Sequence, residues 1–175
     1  NTEGYGGMIL SSWFARPLSL AGRAVVRTET GVKSVLVNID RDLLVIPSLA
    51  IHMTRGMADQ KLNPQVDLLP LFGDEKADYT ALVAEAAGAA PEDILSSDLF
   101  LYPRQKGTAA GAQGEFILAP RLDDLQCAFS AAVSFLAAEN AEKLNICAVF
   151  DNEEVGSRTK QGADSTFLTD TVCRI

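Results

Sequence analysis

The chain has 175 residues, 47% of them hydrophobic and 22% charged, a composition that excludes a disordered tail and is sufficient for a packed core. Its 15 basic residues stand against 23 acidic ones, a net charge of −8, which argues against a nucleic-acid partner and against electrostatic anchoring to a membrane. No apolar run reaches the roughly 20 residues of a transmembrane helix; residues 43–51 are interrupted by Pro47 and Ser48.

Taken in chain order, Gly4-Tyr5-Gly6-Gly7 reads as a flexible opening, followed by an apolar run over residues 8–14. Residues 18–28 and 32–39 alternate with period two and read as strands, with Thr30-Gly31 as a hairpin turn between them. Residues 43–46 form a short apolar strand stopped by Pro47. Residues 66–72 are a further candidate, weakened by Pro70 to an edge or broken strand. Tyr79, Leu82, Val83, Ala86 and Ala87 follow helical spacing, which predicts a helix over residues 77–87 ended by Gly88. Pro91-Glu92-Asp93 reads as a turn and residues 95–102 as a strand.

Residues 106–114, rich in Gly and Ala and without periodicity, read as a loop and a domain boundary. Beyond it, residues 115–119 read as a strand and residues 124–140 as an amphipathic helix with Phe129, Val133, Leu136 and Ala137 on one face. The nearly all-apolar residues 145–150 read as a buried parallel strand, and residues 162–175 as helical again. The expected fold class is therefore α+β overall. A β-rich unit over residues 1–114 precedes an α/β unit over residues 115–175 that contains a parallel sheet. The three cysteines, Cys127, Cys147 and Cys173, are odd in number, widely spaced and set among apolar residues. They are expected to be buried free thiols, with a reducing, cytoplasmic setting.

The chemistry-bearing residues lie after two of these expected strands: Asp123 after residues 115–119, and Glu153-Glu154 after residues 145–150. Ligand sites of open α/β sheets lie outside the carboxyl ends of parallel strands, so parallel pairing would bring the three carboxylates together. Like charges so placed repel unless a cation neutralises them, and adjacent carboxylates can divide the work of holding a metal and accepting a proton. The residues alone leave another reading open, in which Asp123 belongs to an ordinary helix cap and Glu153-Glu154 are solvated loop charges. His52 is the only histidine. By itself it reads as a half-buried residue of a short helix, and no zinc site of several histidines can be built within the chain.

The string Asp151-Asn152-Glu153-Glu154-Val155-Gly156-Ser157 resembles the metal-site motif of the aspartyl aminopeptidase family of dinuclear zinc metallopeptidases. Ala119-Pro120-Arg121-Leu122-Asp123-Asp124 resembles that family's bridging-aspartate segment, with Asp124 where Asn is usual. Gly4-Tyr5-Gly6-Gly7-Met8 and the segment from Trp13 to Arg23 are similar to the start of its dimerisation domain. Ile46-Pro47-Ser48-Leu49-Ala50-Ile51-His52 and Leu62-Asn63-Pro64 match as well.

The resemblance implies a zinc-dependent aminopeptidase that removes N-terminal residues, acidic ones included, from peptides. Asp123 would bridge two zinc ions, with manganese or cobalt as substitutes. Glu154 would be a ligand of one metal, and Glu153 the general base. His52 would reach into a neighbouring subunit's active site to support the substrate carbonyl. Residues 1–114 would be a dimerisation domain of a homo-oligomer, and residues 115–175 the first part of a catalytic domain. The family's other ligands, a histidine before the dimerisation domain and an aspartate and a histidine after the Glu-Glu pair, have no counterpart here. The chain is thus expected to be an internal piece of a longer enzyme and inactive alone. The competing expectation is a non-catalytic oligomerisation module whose acidic cluster is incidental.

Overall fold

The computed structural model describes residues 2–55, 61–140 and 142–175. They divide into two compact units. One holds the residues before Gly4 together with Ile9–Lys106; the other holds Gly4–Met8 with Gly107–Ile175. The short glycine-rich opening thus belongs to the same unit as the C-terminal third of the chain.

The first unit is built on a three-stranded antiparallel sheet. Strand β1 (Leu18–Thr28) lies between β2 (Gly31–Asn38) and β3 (Ile94–Pro103). β1 and β2 form a hairpin paired from Ala21↔Asn38 to Thr28↔Gly31. Gly31, at φ +134°, takes a conformation that L side chains rarely adopt. The turn therefore closes over Glu29 and Thr30, one residue earlier than the sequence suggests. Gly22 has a different role: a Cβ there would lie 2.1 Å from the carbonyl oxygen of Asp98, so only glycine lets β1 and β3 approach this closely.

Leu18, Leu20, Ala24 and Val26 are buried along β1, the period-two face read from the sequence. Helix α1 (Ile51–Thr54) and helix α2 (Pro64–Asp67) are single turns. Helix α3 (Tyr79–Ala87) covers the sheet, burying Val83 against Ala24, Val26 and Val37. The Asp78 carboxylate accepts the Ala81 N–H at 3.0 Å at its start, and Gly88 at φ +65° ends it, both as helix-end chemistry requires.

Residues 43–46 pair only through single bridges, Leu44 with Leu18, Val45 with Leu71 and Ile46 with Phe14. The expected strand over residues 66–72 does not form: α2 takes its first two residues, Val66 and Asp67. Pro64 at the first helical position and the Asn63 side chain, which accepts the Gln65 N–H at 3.0 Å, nucleate a helical turn there. Only Leu71 keeps an extended pairing.

The second unit opens on a small antiparallel hairpin, β4 (Thr108–Ala110) with β5 (Phe116–Leu118). Part of the stretch expected to be loop is therefore strand, and the partner of β5 is the strand just before it. Helix α4 (Leu122–Ala137) and the short helix α5 (Phe167–Val172) follow. The helical content after residue 162 is confined to α5. Residues 145–150 are not a strand, and Ile146 and Val149 are 48% and 68% exposed. A parallel strand exists only where neighbours complete its ladder, and among the described residues none does. The parallel sheet expected from the apolar pattern is correspondingly absent from them. Cys127 and Cys173 are exposed and Cys147 half-buried, all as free thiols. This corrects the expectation of buried cysteines: α4, which carries Cys127, buries none of its residues.

Candidate functional site

The acidic segment folds as a tight turn pinned at both ends. The Asp151 N–H donates to the Gln161 carbonyl at 3.0 Å, and its carboxylate accepts the Asn152 N–H at 2.7 Å. Asn152 sits at φ +61°, which a short amide side chain tolerates better than most. It opens a single 3-10 turn over Glu153–Val155 that ends at Gly156, φ +95°. The Asn152 carbonyl accepts the Ser157 N–H at 3.0 Å, and the Gly156 N–H donates to the Glu153 carbonyl at 2.9 Å. The Asn152 side-chain amide donates to Thr159 Oγ1 at 2.8 Å. These bonds occupy the backbone of the turn and leave the Glu153 and Glu154 side chains projecting as exposed residues.

The glycine-rich opening lies against this turn. Tyr5 Oη donates to Asn152 Oδ1 at 2.9 Å, and the Gly7 N–H donates to Glu154 Oε2 at 3.2 Å. Sequence reasoning named Glu153 and Glu154 but not Tyr5, Gly6, Gly7, Asn152 or Thr159 as their neighbours. The available signal was the Gly-Gly pair, which permits close backbone approach as readily as flexibility.

Asp123 lies in the first turn of α4 with an extended backbone, φ −83° and ψ 113°, and its peptide bond to Asp124 is cis. Arg121, at φ +59°, precedes this turn without a side-chain cap, and because Asp123 and Asp124 both have non-helical backbone the regular part of the helix begins after them. Asp123 and Asp124 are exposed. His52 is exposed on α1 in the first unit.

Among the described residues no three His, Cys, Asp or Glu side chains come together in a group that could hold a metal ion. Asp123, Glu153 and Glu154 are not gathered into such a cluster. Their donors suit a divalent cation in kind: carboxylate oxygens bind zinc at about 2.0–2.2 Å and also suit manganese. A carboxylate offers about four acceptor sites, so the one N–H on Glu154 leaves it able to bind. In number they fall short, because a catalytic zinc takes three protein ligands. The residues fit as part of a donor set, not as a whole one.

Over residues 1–175 the chain matches the family described as Aminopeptidase I zinc metalloprotease (M18). It is 48% identical to the probable M18 family aminopeptidase 2 of Clostridium acetobutylicum, an alignment covering 100% of this chain and 42% of that protein. It is 35% identical to the aspartyl aminopeptidase of Aspergillus oryzae, over 99% of this chain and 44% of that protein. Among solved structures it is similar to the S. cerevisiae mApe1 dodecamer, with a TM-score of 0.75 and 28% identity over 99% of this chain and 43% of that one. The chain thus spans less than half the length of these relatives.

Proposed function

The chain belongs to the aminopeptidase I zinc metalloprotease family, M18, and from that premise we propose that it carries part of the active site of a metal-dependent aminopeptidase. The observation that carries the reading is the turn over Glu153–Val155, which presents two adjacent exposed carboxylates on a backbone fixed at both ends. Neighbouring positions on so tight a turn project in different directions, so one carboxylate can hold a cation while the other remains available for a proton.

In this reading Asp123 and Glu154 hold divalent cations, zinc first, as members of a larger ligand set. When bound, the metal supplies Lewis-acid polarisation of the scissile carbonyl and lowers the pKa of water. Glu153 takes a proton from the attacking water and returns it to the leaving amine as the peptide C–N bond breaks, a general acid–base role. His52 supports the substrate carbonyl in a neighbouring subunit. The dimerisation domain falls within residues 1–114, and residues 115–175 are the first part of the catalytic domain, in one compact unit with Gly4–Met8 and the residues from Gly107 onward. The dodecameric state of mApe1 supports a homo-oligomer, and the relative called an aspartyl aminopeptidase supports acidic N-terminal residues as substrates. No helix among the described residues is long and apolar enough to cross a membrane; the free cysteines support a reducing, cytoplasmic setting.

Zinc stoichiometry of the full-length protein tests the ligand assignment. Asp123→Asn and Glu154→Gln are each expected to lower bound zinc after dialysis against a weak chelator. Unchanged stoichiometry in both would return the acidic residues to the status of loop charges and favour the oligomerisation module.

A further inference from the structure

We infer that Tyr5, Gly6 and Gly7 form a strap that positions the Asn152–Glu154 turn and sets the orientation of the Glu154 carboxylate for its cation. The inference rests on the reading of Glu154 as a metal ligand and adds the residues that hold it. Tyr5 meets Asn152 and Gly7 meets Glu154 across the same separation of 147 residues. The strap therefore runs alongside the turn in the same direction, and alternate positions on each make the contacts.

Each contact has a separate physical role. Tyr5 and Thr159 hold the Asn152 amide from its two ends, which fixes the residue that opens the 3-10 turn. The Gly7 N–H holds one oxygen of Glu154 and limits rotation of the carboxylate, leaving the other oxygen in a defined place. Gly6 makes the approach possible. At φ +66°, a Cβ there would lie 2.5 Å from Glu154 Cβ and 2.8 Å from its Oε2. A Cβ on Gly7 would meet Glu154 Oε2 at an ordinary 3.8 Å. Gly6 is thus required for space and Gly7 for its donor. Hydrogen bonds to ligating carboxylates typically change metal affinity by about 10–100-fold when removed.

The test is the zinc dissociation constant of the full-length protein, measured by competition with a chromogenic chelator, together with amide hydrogen exchange of Gly7 in the metal-free protein. Gly7→Pro, which removes the donor, and Gly6→Ala, which fills the space, are each expected to weaken zinc by about 10–100-fold. Gly7→Ala keeps the N–H and is expected to retain the affinity that Gly7→Pro loses. Tyr5→Phe, which removes one hydroxyl and no packing, guards against misfolding of the glycine variants; it is expected to speed exchange at Gly7 and weaken zinc. Saturating zinc should restore kcat in Gly7→Pro with KM unchanged, which a general structural defect would not do. If Glu154→Gln loses zinc while Gly6→Ala, Gly7→Pro and Tyr5→Phe bind it normally, the strap is refuted and the ligand assignment stands. If Glu154→Gln binds zinc normally, the ligand assignment falls and the strap's role falls with it.

Discussion

Glu115 shows how backbone alone can hold a carboxylate in its charged form. Its own amide and the Gln113 N–H, which donates to Oε2 at 2.9 Å, keep the group below the usual carboxylate range. Because the folded value is depressed, the contribution to the hairpin loop is present above the unfolded glutamate value of about 4.3. It is lost as pH falls through the lower folded value. A carboxyl-carbon NMR titration should therefore give Glu115 a midpoint below that of an unfolded glutamate, with the Gln113 amide shifting in step. A midpoint at or above the unfolded value would contradict the bond. At this scale the sequence was partly legible. Glu153 and Glu154 stand out because two adjacent acids follow an apolar segment. Their supports do not, because the contacts of Tyr5 with Asn152 and of Gly7 with Glu154 join residues 147 apart, and no local pattern encodes such a pairing.

Most elements with partners close in the chain were legible, β4 and α2 being the exceptions; those that depend on neighbours elsewhere were not. β1 and β2 follow from alternation and the glycine at their turn, and α3 from helical spacing between Asp78 and Gly88. The central position of β1 rests on side chains such as Leu18, which is 0% exposed. Leu18→Ala is expected to destabilise the first unit by about 2–5 kcal/mol, read as a lower urea midpoint. Leu36→Ala, at an 86% exposed position of the neighbouring strand, should change it little. Equal effects would show that the core does not lie on that face. Residues 145–150 mark the opposite case. Their apolar run fits a buried strand, but a strand is defined by its neighbours, and β5 pairs with β4 instead. The helix α4 forms where its apolar spacing places it, yet Phe129, Val133 and Leu136 of the expected apolar face are 69%, 47% and 82% exposed. Periodicity reveals which face an element would bury and is silent on what covers it.

For the molecule as a whole, the buried apolar core of the described residues lies in the first unit, from Leu18 to Ala84. The proposed ligands Asp123 and Glu154 lie in the second. This 175-residue chain by itself should accordingly keep a folded first unit and show no aminopeptidase turnover, even with added zinc, manganese or cobalt. Two carboxylates without a nitrogen ligand make a weak hard-cation site and not a catalytic zinc centre. Turnover by the isolated chain on acidic or neutral aminoacyl substrates would show that the donor set here is more complete than described. The family was legible in the order of its motifs, Ala119–Asp124 and Asp151–Ser157 among them. The most direct test of the central claim is the turnover of full-length Glu153→Gln on an acidic N-terminal substrate at saturating zinc. A kcat lower by about two to four orders of magnitude is expected with bound zinc unchanged; a kcat equal to that of the unsubstituted protein would contradict the general-base role of Glu153.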